Sequence, residues 1–223
     1  MCGRFTQSHD SEAIAQAFDL KDVPELSPRY NVAPTQMVGT VIKPEESEKR
    51  QFKMLYWGLI PSWSKDKKMG AKLINARAET VAEKPSFRSA FKRRRCLVVA
   101  DGFYEWQHLA GKKQPFYIHL PDKQPFGLAG LWEHWESAEG EIIESCTIIT
   151  TAANDLMQPI HDRMPVILHP QDYDLWLDPG VQKPELLQPL LSAYPAEQMA
   201  AYPVRTLVNK TTHDSPELIE TAA

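Results

Sequence analysis

The chain has 223 residues, a formal net charge of −4 and a pI near 6.0, with 43% of its residues apolar and 24% charged. That length supports a sizeable core in one large domain or two small ones, and the composition is that of a globular protein. The charge excludes a protein that coats nucleic acid through bulk positive potential, although a local basic groove remains open to it.

The N-terminus, M-C-G-R-F-T-Q, has no basic stretch leading into an apolar one, and no apolar run reaches the roughly 18 residues of a membrane span. A cytosolic location with no membrane partner is therefore expected. The three cysteines, Cys2, Cys96 and Cys146, form no Cys-x-x-Cys pair and no zinc-ligand spacing, so no metal site is expected. Cys96 and Cys146 open the apolar runs C-L-V-V-A and C-T-I-I-T and read as buried strand residues, whereas Cys2 lies outside any such run.

In chain order, Ser11–Phe18 reads as an amphipathic helix with Ser11 as N-cap and Ile14 and Phe18 on one face. Gln36–Ile42 and Gln51–Trp57 read as strands across the polar turn K-P-E-E-S-E-K. Pro85, followed by S-F-R-S-A-F, predicts a short helix with proline in its first turn, and F-K-R-R-R at Phe91–Arg95 reads as a solvated charged face. β-rich runs follow at Cys96–Ala100, Phe103–Trp106, Pro115–Leu120, Phe126–Trp132 and Ile142–Thr151. The turn segments A-G-K-K, P-D-K-Q and S-A-E-G between them predict hairpins and antiparallel pairing. Gln171–Leu177 and Glu185–Ser192 read as helical, and Pro203–Val208 as a return to the sheet. Strands followed by helices, with no repeat, low-complexity tract or long linker, predict one α+β domain over residues 1–223.

Phosphate loops, G-x-S-x-G, H-E-x-x-H and EF-hand patterns are absent from the sequence. The chemistry lies in less common features. Removal of Met1 would leave Cys2 with a thiol and a free α-amine. The amine, with a reference pKa near 8, is about a tenth neutral at pH 7, against less than about a thousandth for a lysine. Such an amine condenses with an aldehyde, and the adjacent thiol can close on the imine to give a five-membered thiazolidine. In L-I-N-A-R an extended chain puts Asn75 and Arg77 on one face. In A-D-G-F-Y-E-W, Glu105 stands between two aromatics, where desolvation would raise its pKa toward an acid–base range. I-H-D-R-M-P sets His161 and Arg163 in a tight loop. In W-G-L-I-P-S-W, Trp57 reads as core and Trp63 as an exposed ring able to stack on an unpaired base.

With R-Y-N-V-A-P, I-N-A-R-A-E-T and I-I-T-T-A-A-N, these segments run in order from residue 1 to about 168 and resemble the SOS-response-associated peptidase (SRAP) family, the abasic-site processing proteins. The resemblance implies a single α+β domain with a curled, mostly antiparallel, barrel-like β core, short peripheral helices and a basic groove over the N-terminus. It implies that Cys2 forms a thiazolidine with the ring-opened deoxyribose of an abasic site in single-stranded DNA. Asn75 would hold the amine and the sugar, Glu105 and His161 would move protons, Arg4, Arg77 and Arg163 would grip phosphates, and Trp63 would lie against bases. No cofactor or metal is implied, and a cytoplasmic monomer, nucleoid-associated if bacterial, is expected. Two other readings stay open: a cysteine autopeptidase acting through Cys2, and a non-covalent binder of single-stranded DNA.

Overall fold

The computed structural model describes residues 2–109 and 111–222. The first half runs β1 (Phe5–Gln7), α1 (Ser11–Phe18), β2 (Arg29–Val32), β3 (Met37–Ile42), β4 (Gln51–Trp57), β5 (Asn75–Arg77) and α2 (Arg88–Arg93). The second half runs β6 (Arg95–Ala100), β7 (Gly102–Leu109), β8 (Lys112–His119), β9 (Phe126–Glu136), β10 (Ile142–Ala152), β11 (Arg163–Pro165), β12 (Ile167–Leu168), α3 (Tyr173–Leu177), α4 (Pro184–Leu187) and β13 (Ala200–Pro203).

Five strands close into a barrel in the order β10-β4-β3-β6-β9, with β9 pairing back onto β10. All of these pairs are antiparallel except β4 with β10, which is parallel. A second, open antiparallel sheet runs β13-β8-β7-β1-β2. The expected α+β class with a barrel-like core is what the chain adopts.

Strand alternation sorts the side chains. Val38, Leu55, Trp57, Cys96, Val98, Leu128, Cys146 and Ile148 join Cys2, Phe5, Phe103 and Ile118 of the open sheet in one cluster. The intervening residues Val41, Leu97, Val99, Leu131 and Ile149 join Ile14 and Phe18 of α1, Phe91 of α2 and Trp176 of α3 in another. The outer face of the open sheet, with Tyr104 and Tyr117, is covered by Val204, Val208 and Leu218 of the C-terminal segment. Cys96, Cys146 and Trp57 are buried as their apolar runs predict.

Four local readings are corrected. The N-cap of α1 is Asp10, whose carboxylate accepts the Ala13 N–H at 2.8 Å, and Ser11 is the first helical residue. Pro85 lies in a turn ahead of α2, where the Lys84 carbonyl accepts the N–H groups of Phe87 and Arg88. P-D-K-Q is no hairpin; it carries the chain from β8 in the open sheet to β9 in the barrel, both sides of β8 being taken by β7 and β13. The last strand ends at Pro203: Val204 N–H still donates to Pro115 O, but Pro115 has no N–H to return the bond, and Thr206–Asn209 coils into a 3₁₀ turn. The A-G-K-K and S-A-E-G hairpins form as expected, although Ala110 lies outside the described residues.

Arg95 also departs from its reading as part of a charged surface, being only 2% exposed. Its guanidinium donates to Trp176 O at 2.5 Å, to Phe91 O and Lys92 O at 2.7 Å, to Val181 O at 2.9 Å and to Asp178 O. These carbonyls lie in and just beyond the last turns of α2 and α3, where helices leave acceptors unpaired and the helix dipole is negative. Burial draws the Arg95 pKa down to about 10. Among the described residues no helix is long and apolar enough to cross a membrane.

Candidate functional site

The strand pairing assembles the site. Phe5 pairs with Phe103 and Thr6 with Gly102, and Tyr104 N–H donates to Arg4 O, so the segment before β1 runs antiparallel alongside Glu105 and Trp106. Cys2 is fully buried at the end of that segment, in the cluster that also holds Ile148, Ile160 and Met164. β5 pairs in parallel with β10, setting Asn75 opposite Ile148 and Arg77 opposite Thr150. β11 pairs with the same stretch from the other side, setting Arg163 opposite Ala152. One end of β10 thus carries Asn75, Arg77 and Arg163.

Burial pushes the Cys2 thiol pKa up to about 12, and the nearby Glu105 carboxylate pushes in the same direction. Glu105 is 3% exposed; burial raises its pKa above the ordinary carboxylate range, while His161 acts in the opposite sense. Cys2, Glu105 and His161 therefore lie within electrostatic reach of one another along Cys2–Glu105–His161.

The His161 loop is fixed from both sides. Gln107, on the same face of β7 as Glu105, donates to Pro159 O at 2.9 Å. Arg163 N–H donates to His161 Nδ1 at 3.0 Å. Asp162 Oδ1 lies 3.0 Å from the same nitrogen, but that carboxylate is mostly in water, and a backbone N–H can only donate. Nδ1 is therefore the acceptor, and the neutral ring carries its proton on Nε2.

The Asn75 amide donates to Ile74 O at 3.0 Å, while its Oδ1 is buried with no hydrogen-bond donor among the described residues. An amine or hydroxyl brought beside it would supply that donor. Arg163 binds Glu79 in a fork-to-fork pair, and Arg77 is exposed beside them. Arg4 is placed differently. Its Nη1 donates at 2.7 Å both to Asn31 Oδ1 and to Val208 O, and its guanidinium lies 5.8 Å from the Trp106 ring. In this state Arg4 ties the N-terminal segment to the C-terminal coil. Trp63 stands outside this network on the loop after β4 and is 57% exposed, as the sequence predicts. That loop is clamped at its base by Gly58 and Gly70, where a Cβ on Gly70 would come within 2.5 Å of Gly58 O. Met1 lies outside the described residues.

Gln107, Asn31 and Glu79 were not singled out by sequence. Gln107 was within reach, since a strand through Glu105 returns to the same face two residues later. Asn31 and Glu79 take their roles from partners far along the chain, and no local signal marks them.

The SOS response associated peptidase (SRAP) family model matches residues 1–211. The chain belongs to the SRAP family. Among SRAP relatives, abasic site processing protein YoqW of Bacillus subtilis (strain 168) is 48% identical over 224 residues, covering 99% of each chain. Abasic site processing protein YedK of Escherichia coli (strain K12) is 34% identical over 231 residues, again covering 99% of each. A crystal structure of a protein from Bacteroides thetaiotaomicron superposes with a TM-score of 0.88 at 30% identity over the whole of both chains.

Proposed function

We propose that this SRAP protein processes abasic sites in single-stranded DNA by covalent capture at Cys2, acting as an intracellular monomer after loss of Met1. The observation that carries the reading is the buried Cys2 thiol beside Glu105, at the foot of a β10 edge lined by Asn75, Arg77 and Arg163. The deoxyribose at an abasic site is mostly a closed hemiacetal, so ring opening needs a positioned proton acceptor and donor; Glu105 and His161 supply both. The Cys2 amine then condenses with the aldehyde and releases water. The thiol adds to the imine carbon, forming the S–C bond, and its proton ends on the ring nitrogen by way of Glu105.

This order fits a high thiol pKa, because the amine attacks first and the thiol reacts only once it is held against the imine. A cysteine peptidase needs the opposite, a thiolate favoured at neutral pH by a nearby cation. Burial and Glu105 both work against a thiolate here, so the autopeptidase reading is the weaker one.

The deciding experiment is intact mass before and after incubation with a single-stranded oligonucleotide carrying one abasic site. Loss of Met1 and a mass gain of oligonucleotide minus water, stable to heat without reductant, support the proposal. Retained Met1, or no adduct once Met1 is gone, overturns it.

Two further outcomes follow. Glu105→Gln should slow adduct formation by about 10²–10⁴-fold, the usual range for a positioned acid–base group. The acidic limb of the wild-type rate profile should lie above the ordinary carboxylate range and vanish in this variant. Because burial raises the folded pKa of Glu105, its stabilising share is full at low pH and is lost as pH rises through that pKa. Glu105→Gln should accordingly melt higher than wild type at pH 7, with the gap closing on acidification. Trp63→Ala should weaken binding of an oligonucleotide with a non-reactive tetrahydrofuran site by about tenfold, since stacking on one base contributes about 1–3 kcal/mol. Unchanged affinity by fluorescence anisotropy would remove Trp63 from the DNA surface.

A further inference from the structure

Arg163 Nη1 lies 2.6 Å from Glu79 Oε1, and Nη2 lies 3.0 Å from Oε2. Nη2 also donates to Thr150 O at 2.7 Å. Two parallel N–H···O bonds to a pair of oxygens is also how an arginine fork holds a phosphodiester. The fork is already filled, so a phosphate cannot simply join Arg163; it has to replace the carboxylate.

We propose that Glu79 is an internal stand-in for a DNA phosphate, filling the Arg163 fork in the free protein and releasing it when a strand binds. This rests on reading Arg163 as a phosphate grip. The Arg163 side chain is 15% exposed and that of Glu79 is 50% exposed. A guanidinium so far withdrawn from water is costly without an anion, which gives the free protein a reason to hold one. The two partners differ in freedom. Arg163 is fixed by the β10–β11 pairing, by its N–H on His161 Nδ1 and by the bond to Thr150 O. Those contacts survive the exchange. Glu79 lies two residues beyond the end of β5, in a turn, and can rotate into water.

The hydrogen bond from Arg163, with a smaller contribution from the Arg77 charge, holds the Glu79 carboxyl below its usual pKa, so the stand-in keeps its charge across the neutral range. Replacing it by a phosphodiester leaves one negative charge in the Arg163 fork, as before. The exchange also selects the ligand. A carboxylate on the same chain competes at high effective concentration, which a free phosphate cannot match. A strand already held by Trp63 and Arg77 meets Arg163 on equal terms.

The test is fluorescence anisotropy with the tetrahydrofuran oligonucleotide on wild type, Glu79→Gln, Arg163→Gln and the double variant, with and without millimolar inorganic phosphate. Glu79→Ser is carried alongside in case Glu79→Gln does not fold. The expected result is that removing the carboxylate tightens binding by roughly two- to fivefold, the reach of one partly exposed ion pair. It should also make binding sensitive to phosphate, and both effects should disappear in the Arg163→Gln background. Weaker binding on loss of Glu79 would overturn the proposal, because the carboxylate would then be holding Arg163 in place. Equal tightening with Arg163→Gln would overturn it as a general charge effect. Wild-type affinity in Arg163→Gln alone would instead show that Arg163 is no phosphate grip, and the stand-in would fall with it.

Discussion

Cys2→Ser should abolish the heat-stable adduct while leaving a transient one. The α-amine survives the substitution, so the imine still forms and can be trapped with borohydride. Serine closes on the imine to a far less stable oxazolidine, so without reductant no adduct should outlast heating. The expected readout is therefore a gel or mass peak that depends wholly on borohydride in the variant and not at all in wild type. Affinity for the tetrahydrofuran oligonucleotide should be unchanged, because Cys2 is fully buried and makes no phosphate contact in this reading. A reductant-independent adduct of undiminished yield would remove the thiol from the chemistry. Loss of the trapped imine as well would mean that the amine is not the first nucleophile.

Arg95→Ala should bring the largest loss of stability of any single substitution discussed above. Five carbonyls lose the guanidinium at once, although Asp178 O keeps the Val181 N–H. A buried acceptor without a partner costs about 1–3 kcal/mol, but water entering the vacated space recovers much of the sum. A net loss of about 4 kcal/mol is expected, which at roughly 2–4 °C per kcal/mol lowers the melting midpoint by about 8–16 °C for a chain of this size. Arg95→Lys keeps the charge but offers one ammonium to carbonyls spread around a fork, and should restore only part of it. Denaturant titration reads both directly, and a loss below about 1 kcal/mol for Arg95→Ala would show that the two helix ends do not depend on it.

The sequence announced the long strands because their apolar runs are strong and bounded by turn residues. It also announced the face shared by Asn75 and Arg77, with Ala76 buried behind them, because three residues of alternation suffice once the segment is extended. Barrel closure was not legible from the runs themselves. It depends on β4 meeting β10 in parallel, a pairing between residues about 90 apart in sequence that no local pattern encodes. β1, β2, β11 and β12 span two to four residues each, too short for periodicity to register, yet they carry the chain past Cys2 and Arg163. Arg95 hid inside K-R-R-R, where nothing local separates the buried member from its solvated neighbours. The candidate site became legible chiefly through the ordered set of family segments, while the engaged states of Arg4 and Arg163 emerged only from their partners.

The clasp between Arg4 and Val208 spans 204 positions of sequence. Asn31 adds a second tie to the same coil, donating to Lys210 O and His213 O across 179 and 182 positions. Arg4 is thus made 204 positions before the coil that braces its strand. A chain cut short before that coil therefore lacks the brace, and under the proposed function should capture abasic sites slowly.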